Sequence, residues 1–361
     1  MKQLRLRQPL RRFAEVPWLV AAVAVMLGVL APPVSHAGPA RKAQELMICF
    51  VDVEGGQATL FVTPEGHSLL IDTGWPLNNG RDADRIAAAA KEMGISRIDF
   101  LLLTHYHADH AGGVPQLAEK MPIGTVFDHG ENREESDAVT VQVWKDYQAF
   151  VAKGTAKRIT PKPGDVLPIP DMKVTVISAD GATITQPLGG AGGENAACAE
   201  SGPYPVDNTE NPRSLGTLIQ FGKLRVLDLG DLTSEKEMLV MCPKNLIGKV
   251  DILIVSHHGT LTSSSPALVY GVAPRVAIMD NGAIKGGSPG VWDTIEKSPG
   301  LEDLWQLHFA AATGAHNVSD AFIANLAGVD GGHYLRVAAR KDGSFEVYNA
   351  RTNETKKYAA P

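Results

Sequence analysis

Short apolar, β-branched runs alternate with turn residues along the first third of the chain. Leu46 to Val53 and Ala58 to Thr63 read as two strands separated by Glu54-Gly55-Gly56. After Pro64-Glu65-Gly66, a third strand from Ser68 ends in Asp72-Thr73-Gly74, which presents Asp72 at the rim of the meander. The period then lengthens: Asp82 serves as N-cap of an alanine-rich helix to Met93, with Gly94 as its stop. A buried strand, Ile98 to Thr104, runs directly into His105. Two helices follow, about Gly113 to Lys120 and Ser136 to Val151, the second with Val139, Val143, Tyr147 and Val151 on one face; Met172 to Ser178 is a strand.

The segment at about 180–212 is rich in Gly, Pro and Asn and reads as a long surface insertion. Leu215 to Phe221 and Leu224 to Leu229 pair across Gly222-Lys223 and end in Gly230-Asp231. A helix from about Ser234 to Met241 leads to a strand, Asp251 to Val255, that ends in Ser256-His257-His258-Gly259. Pro266 fits the first turn of another helix, Val276 to Met279 is a strand, and a C-terminal β-hairpin occupies about 333–350 around Asp342-Gly343. Interleaved strands and helices predict an α/β class, with chemistry-bearing residues at strand ends, where such folds place their ligand loops.

The first 37 residues differ from the rest. Lys2, Arg5, Arg7, Arg11 and Arg12 precede an apolar run from Pro17 to Ala31, and Ser35-His36-Ala37 supplies the small residues that signal peptidase requires. We expect a signal peptide at 1–37, a single domain at 38–361, no stable membrane span after cleavage, and a periplasmic or extracellular location. Removing that segment deletes five basic residues and one acidic one, which moves the formal charge from -6 to -10. An acidic body repels polyanions, so tight non-specific nucleic-acid binding is not expected. Of three cysteines, Cys198 and Cys242 can form a bridge in an exported protein, leaving Cys49 over; alternatively all three are free small hydrophobes.

Four ligand-type side chains, His105, His107, Asp109 and His110, fall within six residues. In an extended segment His105 and His107 point to one side and can share an ion, whereas Asp109 and His110, beyond the turn, suit a second one. Asp231 alone would be an ordinary turn residue, but a carboxylate at the same rim can bridge two cations. His257 or His258 would complete the second site, the other contacting substrate or donating a proton.

Asp72-Thr73-Gly74, Thr104-His105-Tyr106-His107-Ala108-Asp109-His110, Gly230-Asp231 and Ser256-His257-His258-Gly259 resemble the metallo-β-lactamase superfamily in order and spacing. Within it, Asp52-Val53-Glu54-Gly55-Gly56-Gln57-Ala58, Asn211-Pro212-Arg213-Ser214 and His257-His258-Gly259-Thr260 are most similar to the hydrolase-like domain of ComEC/Rec2 competence proteins, standing alone here. The resemblance runs from about Leu46 to Ile295 and implies a four-layer αββα sandwich with two divalent metal ions at one edge, zinc being the preferred metal for both and manganese the alternative. It assigns His105 and His107 to the first metal, Asp109, His110 and His257 to the second, and Asp231 to both; Asp72 would hold the ligand loop by hydrogen bonds. Between the main motif and Asp231 many members carry a third histidine, but here His129 alone lies in that interval, too early. Asn211 stands near the expected place, with Asp207 and Asn208 as rivals.

The implied activity is hydrolysis by a metal-bound hydroxide, with Asp109 and His258 as the residues of turnover and either His258 or a metal-bound water protonating the leaving group. The expected substrates are small-molecule or nucleic-acid phosphoesters; lactone, ester or β-lactam hydrolysis and a non-catalytic exported metal-binding module are the alternatives.

Overall fold

The computed structural model describes residues 44–312, 314–328 and 331–361; the expected signal peptide lies outside them. Strands β1 (Leu46–Phe50), β2 (Thr59–Val62), β3 (Ser68–Ile71), β4 (Ile98–Leu102), β5 (Ile123–Phe127) and β6 (Lys157–Ile159) lie side by side in that order. The chain then builds a second sheet from β7 (Val166–Leu167), β8 (Lys173–Ala179), β9 (Ala182–Thr183), β10 (Gly216–Phe221), β11 (Leu224–Asp228), β12 (Ile252–Ile254), β13 (Val276–Met279), β14 (Asp303–His308) and β15 (Ile323–Asn325). Finally β16 (Leu335–Ala339), β17 (Phe345–Asn349) and β18 (Glu354–Tyr358) return to the first sheet, where β16 pairs antiparallel with β1.

Alternation along the strands decides the layering. In β1, Leu46, Ile48 and Phe50 face inward with Phe61, Leu69 and Ile71, packing on Val174, Val176, Ile219, Val226, Ile252 and Ile254 of the second sheet. The intervening Met47 and Cys49 turn outward to Ile86 of helix α1 (Arg81–Glu92), with short helix α2 (Ala108–Ala111), then Leu117 of α3 (Val114–Lys120) and Tyr147 of α4 (Ala138–Ala152) in the same layer. The outer face of the second sheet, with Leu218, Leu227 and Leu253, is covered by α5 (Ser234–Met241), α6 (Pro266–Val272) and α7 (Pro289–Glu296) through Val240, Leu268 and Ile295. The result is the four-layer αββα sandwich.

Strands β3 to β6 run parallel, as do β11 to β15, so the residues after β3, β4, β11, β12 and β13 emerge at strand carboxyl ends.

Several local expectations change. Asp82 lies inside α1 and Gly80 is its cap; the buried Asp82 carboxylate instead accepts from the Trp75 amide and from Arg81. The insertion is more ordered than its composition implies. It contains β9 and two 3₁₀ turns, Ala196–Glu200 and Asn211–Arg213, and the Asn195 amide group donates to the carbonyls of Met241 and Ala267. A disulfide joins Cys198 to Cys242, while Cys49 is buried and free. The terminal hairpin gains a third strand, β18. Among the described residues no helix is long and apolar enough to cross a membrane.

Candidate metal centre

Five loops converge at one edge of the two sheets. Asp72, just after β3, adopts a left-handed backbone at φ 59°. Its carboxylate accepts from the Thr104 amide at 2.8 Å, the Thr104 hydroxyl at 2.6 Å and His110 Nδ1 at 2.7 Å. It thereby fixes the loop after β4 and leaves His110 Nε2 directed inward, which is how a carboxylate orients a ligating histidine. Gly56 permits the close docking of this loop on the β1–β2 turn, since a Cβ there would stand 2.4 Å from the Asp109 carbonyl.

Asp109, His110, Asp231 and His258 bring four ligand atoms together. His110 Nε2 lies 3.2 Å from Asp109 Oδ2, 3.2 Å from Asp231 Oδ1 and 3.1 Å from His258 Nε2. His258 Nε2 lies 3.3 Å from Asp109 Oδ2 and 3.4 Å from Asp231 Oδ1. Ligands at zinc distances of about 2.0–2.1 Å in a tetrahedron stand about 3.3 Å apart, so the set fits one tetrahedral cation. Two imidazole nitrogens 3.1 Å apart cannot both direct protons at each other, but both can present lone pairs to one cation.

A second group, His105, His107 and Asp231, adjoins it. His105 Nε2 and His107 Nδ1 are 3.0 Å apart, and His105 Nε2 stands 3.9 Å from Asp231 Oδ2. Asp231 thus turns one oxygen to each group. The outer nitrogens are held in turn: His105 Nδ1 meets the Thr104 hydroxyl at 3.0 Å, and His107 Nε2 meets Glu134 Oε2 at 2.9 Å.

Electrostatics favours a cation between these groups. Burial pushes the Asp109 and Asp231 carboxyls up, yet His110, aided by Lys285 at Asp109 and by His257 and His258 at Asp231, drives both well below the usual carboxylate range. Burial and Lys285 disfavour the His258 cation, but Asp231 and Asp280 hold it up at about 9. Burial with the neighbouring His110 and His107 pushes His105 well below its ordinary value. Two ionised carboxylates at so buried a place demand compensating positive charge, which a divalent cation among the four atoms would supply.

Of the two adjacent histidines, the one in the four-atom group is not the one that the resemblance assigned there. Both adopt left-handed backbones at φ 55°, which sends their rings apart. His258, not His257, joins the four-atom group, and its Nδ1 lies 3.3 Å from Asp280 Oδ1. The part-exposed His257 faces the other oxygen of Asp231 at 3.3 Å, with Nδ1 on the Thr262 hydroxyl at 2.9 Å. Asn211 is buried, and its side-chain oxygen has no hydrogen-bond partner among the described residues. His129 is remote in role: its Nε2 meets Glu210 Oε2 at 2.8 Å. The buried Glu210 also accepts from the Tyr106 and Arg133 amides.

Sequence reasoning missed Glu134, Asp280 and Lys285. Asp280 and Lys285 follow the carboxyl end of β13 as Asp72 follows β3, a signal that the sequence did carry. Glu134 lies in a long β5–α4 connection, and nothing local distinguishes it from Glu131 or Glu135.

Residues 51–192 match the family described as the metallo-beta-lactamase superfamily. The chain is 28% identical over 233 residues to recombination protein 2 of Haemophilus influenzae, covering 64% of this chain and 24% of that protein. It is 26% identical over 246 residues to ComE operon protein 3 of Bacillus subtilis, covering 64% and 28% respectively. It therefore spans about a quarter of the length of these relatives. Among solved structures, the metallo-beta-lactamase fold protein YhfI from Bacillus subtilis is similar at 14% identity and a TM-score of 0.44, over 73% of this chain and 96% of that one.

Proposed function

We propose that this protein is an exported two-metal hydrolase of phosphodiester or other phosphoester bonds. The observation that carries the reading is the pair of ligand groups sharing Asp231, one of them with interatomic spacings of 3.1–3.4 Å. Asp109, His110, Asp231 and His258 would hold one divalent cation, and His105, His107 and Asp231 the other, with zinc the preferred metal at both and manganese the alternative. When bound, such cations acidify water and polarise the scissile group. The chain's own residues keep the site in register: Asp72 orients His110, Glu134 fixes the tautomer of His107, and Asp280 faces the outer nitrogen of His258. His257, the part-exposed imidazole beside Asp231, would then contact substrate or donate a proton, in place of the leaving-group protonation expected of His258.

Similarity to recombination protein 2 and ComE operon protein 3 supports a phosphodiester substrate, and the acidic body supports a small or transiently held one. The basic, then apolar N-terminal segment and the Cys198–Cys242 disulfide support export, since such bridges persist in oxidising compartments. The test is metal quantification on the purified chain, followed by bis-p-nitrophenyl phosphate, single-stranded DNA, a lactone and nitrocefin, each with zinc or manganese. Metal-dependent turnover fastest on a phosphoester is the expected result. Fastest turnover on the lactone or nitrocefin overturns the substrate class, and stoichiometric metal without turnover makes the protein a binding module.

A further inference from the structure

The ammonium of Lys285 sits on Asp109 Oδ2, the oxygen that also lies 3.2 and 3.3 Å from His110 and His258 Nε2. The ligand side chains there are nearly sealed, whereas the Lys285 side chain is 32% exposed. Its ammonium lies 5.1 Å from the centroid of the Trp75 ring, so one face is held against an aromatic and another opens to solvent.

The loop that carries it is clamped onto the histidine turn. Gly287 donates to the His258 carbonyl and Ser288 to that of Gly259, each at 2.9 Å, and the Lys285 carbonyl accepts from Gly282 at 2.9 Å. Gly286, at φ 76°, passes so close that a Cβ would come within 2.0 Å of the His258 carbonyl. The position of Lys285 is therefore set by the same turn that aims His258.

We infer that Lys285 is a substrate-binding residue that holds the anionic oxygen of a phosphodiester at the mouth of the Asp109–His110–Asp231–His258 group; this rests on the hydrolase reading above. A cation taken up by those four atoms draws on the same Asp109 oxygen, leaving the ammonium beside another positive charge with half a partner. An anionic oxygen arriving from solvent restores its balance, and the exposed side of Lys285 is where one arrives. A neutral ester offers no such charge, so Lys285 selects anionic substrates over neutral ones.

The full chain, Lys285→Met and Lys285→Arg are each loaded with zinc and compared by metal content and by calorimetric titration with inorganic phosphate. kcat/KM is measured in parallel on anionic bis-p-nitrophenyl phosphate and neutral p-nitrophenyl acetate. The methionine variant is expected to keep its zinc and bind phosphate at least about tenfold more weakly, while the arginine variant stays within about threefold of the wild type. The methionine variant should also lose at least about tenfold more kcat/KM on the diester than on the ester. Phosphate affinity in the methionine variant within about twofold of wild type overturns the inference. So does loss of zinc in both variants, which would make Lys285 a prop for Asp109. Lysine-dependent phosphate binding with no hydrolysis of either ester removes the hydrolase reading and leaves the anion-binding role standing.

Discussion

The two ligand groups that share Asp231 are unequal. Asp109, His110, Asp231 and His258 are all buried and come from three separate strand ends, whereas the other group takes two of its three members from His105 and His107 and leaves His107 partly exposed. Four buried ligands held by packed strands are preorganised, so a cation there gains its coordination at little conformational cost. Three ligands, one at the solvent edge, leave a position for water or substrate, the arrangement of an open catalytic site. The difference predicts one tightly held and one exchangeable ion.

The largest effect should come from the residue common to both. Asp231→Ala should leave less than one ion per chain and slow hydrolysis by at least about a thousandfold, read by metal analysis beside turnover; near-normal content would dissolve the shared-carboxylate picture. Next in size is the contrast between the neighbouring histidines. His258→Ala should weaken the tight ion by more than about a hundredfold in chelator competition, while His257→Ala leaves it in place. The reverse ranking would restore the assignment that the resemblance implied. Asp72→Asn keeps the shape but offers Nδ1 of His110 a poorer partner. It should weaken the same ion about ten- to a hundredfold and spare the exchangeable one.

The smallest effect concerns what holds the histidine turn when no ligand contact is changed. Glu237 is fully buried and accepts from the Ser264 and Ser265 amides, each at 2.7 Å, just beyond His257 and His258. Burial outweighs those donors and pushes its carboxyl up to about 7. The folded state therefore binds this proton more tightly than the unfolded chain. Stability is greatest below the unfolded value, about 4.3, falls as pH rises toward about 7, and is flat above. In urea titrations from pH 4 to 8, Glu237→Gln should remove about one proton's worth of that downward slope. An unchanged slope would place the titration elsewhere.

Much of the candidate site was legible because its ligand-type residues are local. His105, His107, Asp109 and His110 lie in one short segment between a strand and a helix, and the backbone period alone separates the first two from the last two. Asp231 and His257-His258 were legible as strand-end residues. The choice between His257 and His258 was not, because it depends on two consecutive left-handed residues, which sequence period does not encode. Glu134 pairs with His107 across 27 positions and Lys285 with Asp109 across 176, distances over which no sequence pattern links a charge to its partner.

The sequence by itself determined the layers, through alternation that sends Leu46, Ile48 and Phe50 one way and Met47 and Cys49 the other, and it determined which strand ends carry chemistry. Strands β14 and β15 and the third terminal strand β18 acquired their identity only in the sheet, where β14 pairs with β13 and β18 with β17. The tertiary structure alone decided which imidazole joins the four-atom group and which ammonium stands against Asp109. Backbone periodicity is a property of neighbouring residues, whereas a ligand shell is closed by atoms that meet only after the two sheets have packed.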